Sequence, residues 1–115
     1  AHSSLMQPAA ERLRERLEDT AFTPHRSVSV YGVDIKMHAD AVGIRAGLVK
    51  QLYTPVYWAA TVRTMIAAGA NQIVECGPGK VLTGLNRRVD KNRDLKMTAL
   101  EDPAALDDAL AMITL

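Results

Sequence analysis

Cysteine occurs once in the 115 residues, at Cys76, so no disulfide can close within the chain; five methionines suit a reducing compartment. An excess of one charge is also missing, with 14 basic side chains against 13 acidic ones. Proteins that bind nucleic acid or a membrane surface concentrate a basic face, and a net charge of +1 gives no basis for either partner. No apolar run approaches the roughly 20 residues that cross a bilayer. No charged-then-apolar leader reads as a secretory signal. The expectation is a soluble, cytoplasmic protein. Metal-ligand spacing is lacking too: His25 and His38 stand without partners, which makes them loop histidines and leaves metal binding unsupported. What is present is a chain 48% hydrophobic, enough for one small domain with a modest core. It starts with Ala rather than Met, and His2, Ser3 and Ser4 fall at its extreme end. That points to a fragment, a processed chain or one half of a nicked protein.

The apolar positions outline the elements. Met6, Ala9, Ala10, Leu13 and Leu17 form a helical stripe, with Glu11, Arg12, Arg14, Glu15 and Arg16 on the wet face. Pro8 fits only near the start of that helix, which leaves His2 in a loop just before it. Pro24 ends the connection, and Ser27 to Val33 reads as a strand. Asp40 is placed to cap a helix through about Leu52, buried along Ile44, Leu48 and Leu52. Thr54-Pro55 stops it and opens another, with Thr54 as cap and Pro55 first in the helix; Gly69 stands just past its end. Gln72 to Cys76 reads as a strand, with Cys76 a buried and inert thiol. Gly77-Pro78-Gly79 turns into a helix from about Lys80 to Arg88. Leu95 to Leu100 is a final strand, and Asp102-Pro103 starts a last helix carrying Leu106, Leu110 and Ile113. Strands separated by helices predict an α/β layer with a parallel sheet of about three strands. So small a sheet leaves long edges open, so part of it is expected in sequence outside this chain.

Few residues carry chemistry by themselves. A histidine at a helix start is by default a solvated or capping residue; the alternative for His2 is a general base or acid, because imidazole titrates near neutrality. Gly77-Pro78-Gly79-Lys80 is shorter than a phosphate loop and lacks the Ser or Thr after its lysine. A tight strand-to-helix turn is the preferred reading, with anion binding at the helix start left open. Arg87, Arg88, Lys91 and Arg93 form a basic cluster near a helix C-terminus. It either complements the helix dipole or docks an acidic partner, and the sequence does not choose.

Three stretches together resemble a known family. His2-Ser3-Ser4-Leu5-Met6 with Pro8-Ala9-Ala10 comes first. Val49-Lys50-Gln51-Leu52-Tyr53-Thr54-Pro55-Val56 with Trp58 follows, and then Glu75-Cys76-Gly77-Pro78-Gly79-Lys80-Val81-Leu82-Thr83-Gly84-Leu85. They occur in this order in malonyl-CoA:acyl-carrier-protein transacylases, and the resemblance covers essentially the whole chain. The Gly77-to-Leu85 run is its most specific part, and separates the free-standing bacterial type from acyltransferase domains of polyketide synthases.

The resemblance implies an α/β-hydrolase-like acyltransferase domain, of which residues 1–115 are the C-terminal segment, incomplete without upstream sequence. It implies transfer of malonyl from malonyl-CoA to the phosphopantetheine thiol of acyl carrier protein in fatty-acid synthesis, through a malonyl-serine and without a cofactor. By correspondence, His2 is the general base and acid, and Gln51 orients it through its main-chain carbonyl. No serine here has a Gly-x-Ser-x-Gly context, so the nucleophile is expected upstream and the isolated chain is expected to be inactive. Arg87, Arg88 and Lys91 become candidates for carrier-protein docking. Two other readings stand beside this one: an acyltransferase domain of a polyketide or multifunctional synthase, and a non-catalytic carrier-protein-binding fragment. The run ending at Leu115 with no following domain favours the free-standing enzyme.

Overall fold

A computed structural model describes residues 1–23, 27, 29–30 and 32–113, except the Met37 side chain. The chain divides into two compact units, Ala1–Thr61 and Val62–Leu115.

In the first unit a single tight turn, Ser4–Met6, leads into α1, Gln7–Glu18, with Pro8 in its first turn. The expected stripe is the packed one: Ala10 is buried, Met6, Ala9, Leu13 and Leu17 are half-buried, and the charged face is exposed. Arg14 bridges Glu11 and Glu18 on that wet face. Such exposed pairs add little to stability. α1 packs on α2, Ala41–Lys50. From α2, Arg45 donates to the Thr20 carbonyl at 2.6 Å and lies 4.9 Å from the Phe22 ring centre, which holds the segment leaving α1.

Asp40 caps α2 as its sequence position predicts. Its backbone is extended and its carboxylate accepts the Gly43 N–H at 2.7 Å.

Among the described residues, the strand expected over 27–33 is β1, Ser29–Val30. It pairs antiparallel with β2, Met37–His38, in the register Ser29↔His38 and Val30↔Met37. Val28 and Tyr31 of that stretch, and Pro24 and His25 ahead of it, lie outside the described residues. β2 has no counterpart in the sequence reading. The chain reverses at Gly32–Asp34 without an Asn-Gly or Asp-Gly pair to announce a hairpin. Instead the Asp34 carboxylate accepts the Lys36 N–H at 3.2 Å, and Ile35 takes a left-handed backbone with φ 57°.

His38 is therefore not a loop histidine. Its Nε2 lies 3.0 Å from the Asp34 carboxylate, with side-chain exposures of only 13% and 10%. Its ring fills the space over Gly43, where an added Cβ would come within 2.7 Å of Nδ1.

Thr54 does not cap the next helix. α3, Trp58–Ala67, starts later because the Tyr57 N–H is held at 2.6 Å by the Gly32 carbonyl, which keeps the Pro55–Tyr57 stretch out of the helix. Its end follows expectation. Gly69, at φ 102°, donates to Ile66 at 2.9 Å, and Ala70 donates to Met65 at 3.0 Å, the paired bonds of a Schellman stop.

In the second unit β3, Gln72–Glu75, and β4, Lys96–Ala99, pair in parallel from Gln72↔Lys96 to Glu75↔Ala99. α4, Val81–Val89, connects them. Among the described residues this parallel sheet has two strands rather than about three, because β1 pairs with β2. α5, Pro103–Ile113, begins where the Asp102 carboxylate accepts the Ala105 N–H at 2.8 Å. It packs through Ala105, Ala109 and Met112, and the Met112 carbonyl accepts from the Gln72 amide at 2.7 Å. Leu106, Leu110 and Ile113, which the last helix was expected to carry, lie on its other side, 45%, 53% and 56% exposed. No helix among the described residues is long and apolar enough to cross a membrane.

The Asp40 cap generates a stability prediction. Asp40→Ala is expected to cost about 1 kcal/mol and Asp40→Ser only a fraction of that, read as a shift of the urea midpoint at unchanged slope.

Candidate functional site

His2 is exposed and takes a left-handed backbone with φ 60°, uncommon for a residue with a side chain. What holds it there is its own N–H, which donates to the Leu52 carbonyl at 2.8 Å. The next bond along the chain, Met6 N–H to the Ser3 carbonyl at 3.0 Å, closes the turn that starts α1. The chain start is thus clamped to the C-terminal end of α2.

That end unwinds by tightening. Gln51 donates to Gly47 at 3.0 Å, while Leu52 and Tyr53 donate back only three residues, to Val49 and Lys50, each at 3.3 Å. The structure therefore brings His2 beside Gln51 through the backbone of Leu52, one residue further on. The recorded contact is main chain to main chain rather than imidazole to the Gln51 carbonyl.

A second cluster forms at the β3–α4 turn. Gly77 and Gly79 adopt φ 152° and 82°, so the run needs its glycines for backbone geometry, as a tight turn predicts. Lys80 occupies the cap position of α4 and offers no oxygen to the free N–H groups. Glu75 supplies one from across the turn. One carboxylate oxygen accepts the Leu82 N–H at 3.0 Å; the other accepts the Thr83 N–H and hydroxyl, both at 2.7 Å. Burial works to raise the Glu75 pKa, but these three donors outweigh it and hold the carboxyl below its usual range. The anion site left open at this helix start is thus filled by the chain's own carboxylate. Glu75 went unnoticed in the sequence; the available signal was a strand-ending glutamate ahead of a glycine turn whose helix has no capping residue. Cys76, beside it, is exposed rather than buried, because the strand ends at Glu75 and the thiol falls on the turn.

Arg87 and Arg88 lie in the last turn of α4, where cations complement the helix dipole. Arg87, Lys91 and Arg93 meet around a groove of about 430 Å³ that Asp90, Asn92, Leu95 and Met97 complete. Arg88 is exposed but does not line it. No group of three or more metal-ligating side chains occurs among the described residues.

The Glu75 contacts set a pH dependence. A carboxyl depressed on folding contributes stability that is complete above its unfolded value, near 4.3, and lost as pH falls through the lower folded value. The stability difference between the wild type and Glu75→Gln should therefore shrink as urea titrations move from neutral pH to about pH 3. A difference independent of pH would exclude a charged cap.

No protein-family model matches the chain. Individual relatives do. The malonyl CoA-acyl carrier protein transacylase of Salmonella typhimurium is 44% identical over 110 residues, 96% of this chain and 35% of the relative. That of Escherichia coli K12 is 40% identical over 112 residues, 97% of this chain and 36% of the relative. Among solved structures, the malonyl-CoA:acyl carrier protein transacylase of Xanthomonas oryzae superposes with a TM-score of 0.87 at 39% identity, covering 96% of this chain and 35% of that one. A malonyl-transacylase solved in complex with its type II polyketide-synthase acyl-carrier protein gives 0.88 at 41% identity, with the same coverage. The chain spans about a third of the length of the relatives it matches. Over nearly its whole length, this chain is homologous to a C-terminal portion of the malonyl CoA-acyl carrier protein transacylases.

Proposed function

We propose that this chain is the C-terminal segment of the large domain of a malonyl-CoA:acyl-carrier-protein transacylase. Homology along 96% of the chain is the observation that carries the reading. The seating of His2 on the end of α2 supports it, because a general base must be held at a fixed place. The whole enzyme transfers malonyl from coenzyme A to the phosphopantetheine thiol of acyl carrier protein, in the cytoplasm and without a cofactor. Residues 1–115 alone are inactive, since the serine nucleophile lies in the part of the enzyme they do not include.

In this reading the serine oxygen attacks the malonyl thioester carbonyl while the His2 imidazole takes its proton. The tetrahedral intermediate collapses, the carbon–sulfur bond breaks, and His2 protonates the departing coenzyme A thiolate. The carrier thiol then gives its proton to His2 and attacks the malonyl-serine ester. Collapse returns the proton to the serine oxygen. Gln51 orients the ring through its main-chain carbonyl, which fixes the tautomer but lacks the full negative charge of a triad carboxylate. The role belongs to the backbone, so Gln51→Ala in the full-length enzyme should lower kcat far less than His2→Ala. Equal losses in steady-state assays would overturn the assignment.

Carrier proteins are typically acidic, and Arg87, Arg88 and Lys91 are exposed together at the end of α4. We assign them to carrier docking. Reversing the charge of Arg87 and Arg88 should raise KM for the carrier protein with strong salt dependence, and leave self-malonylation by malonyl-CoA intact. An unchanged KM would remove the docking role. The malonyl-transacylase solved with a type II polyketide-synthase carrier favours, as the second reading, a polyketide rather than a fatty-acid carrier as acceptor. Comparing KM for the two carrier classes distinguishes them.

A further inference from the structure

The basic cluster at the end of α4 does not form one patch. Arg87 and Arg88 are consecutive on a helix, and neighbours in a helix point about 100° apart. Of the two, Arg87 alone lines the groove of about 430 Å³, together with Lys91 and Arg93 from the segment leading into β4. None of these three cations makes an ion pair among the described residues, whereas Lys80 has the Glu101 carboxylate at 3.3 Å. The one carboxylate in the groove wall, Asp90, already accepts the Asn92 N–H at 2.7 Å. The floor has the opposite character. Leu95, 8% exposed, and Met97, half-buried, lie two residues apart in extended chain and so face one side. Arg87 and Met97 also line the adjoining groove of about 360 Å³, which puts them at the centre of this surface.

We propose that this groove is the seat of the acyl carrier protein: an apolar side chain from the carrier's acidic surface packs on Leu95 and Met97, and carboxylates around it meet Arg87, Lys91 and Arg93. An apolar centre inside a charged rim is the common plan of a protein interface, and the rim cations here have no partners of their own. Methionine suits such a floor, since its flexible thioether fits side chains of differing shape. Arg88, turned away from the groove, adds only long-range attraction. The inference rests on the transacylase reading and on carrier docking at the end of α4. It adds Arg93, Leu95 and Met97 to that surface and takes direct contact away from Arg88.

The full-length enzyme is assayed for malonyl transfer to the phosphopantetheinyl carrier at about 0.05 M and about 0.5 M salt, where screening separates charge from packing. Self-malonylation by malonyl-CoA reports an intact fold. Arg87→Ala and Arg93→Ala are each expected to raise KM for the carrier about fivefold at low salt and less than about twofold at high salt. Arg88→Ala should change it less than about twofold at either. Met97→Ser is expected to raise it about tenfold at both, with self-malonylation unchanged, and Met97→Leu to restore it. An unchanged KM in Met97→Ser overturns the seat, and so does a Met97→Leu variant that fails to restore it. Where Met97→Ser loses self-malonylation as well, Arg93→Ala decides against Arg88→Ala, since equal KM values for those two also overturn the seat. A KM unmoved by reversing both Arg87 and Arg88 removes docking at α4 altogether, and a full-length enzyme that does not self-malonylate removes the transacylase reading beneath it.

Discussion

The second unit depends on one carboxylate. Glu75 ends β3, pairs in register with Ala99 of β4, accepts the Leu100 N–H through its main chain at 3.0 Å, and closes the start of α4 with its side chain. Strand, neighbouring strand and connecting helix therefore meet at one residue. Helix starts are usually capped by a short side chain immediately before the first turn, and here that position holds Lys80, which is all donor. The capping oxygen has to come from a distance, and the left-handed glycines of the intervening turn let the chain fold tightly enough to deliver it. The backbone geometry of Gly77 and Gly79 and the low pKa of Glu75 are two aspects of a single arrangement.

The first unit is organised in a parallel way around the two ends of α2. At the N-terminal end Asp40 caps the helix, and the His38 ring lies over Gly43, held from its other side by Asp34. At the C-terminal end the carbonyls of the last turn are distributed among the chain's own N–H groups and that of His2. A ten-residue helix is thus fixed at both termini by polar contacts rather than by deep burial, since Gly47 is its one fully buried residue.

What could be read in advance follows from the range of the forces involved. The α1 stripe, the Asp40 and Asp102 caps, the Gly69 stop and the two parallel strands are local, written within a few residues by periodicity or by a single side chain. The failures are all cases in which a distant group decides. The strand at Ser29–Val30 pairs with β2 rather than joining the parallel sheet, and the start of α3 was delayed by the Gly32 carbonyl. The proposed roles of His2 and Gln51 come from resemblance alone. Glu75 escaped notice, because a helix cap eight residues from its target leaves no short spacing to notice.

The position of Cys76 has a practical consequence. It is the one thiol of these residues, it is exposed, and it immediately follows the carboxylate that closes α4. A fluorophore or spin label attached there would sit beside that contact without replacing any residue that forms it. The chain thus carries its own attachment point for watching the start of α4 loosen and re-form in solution.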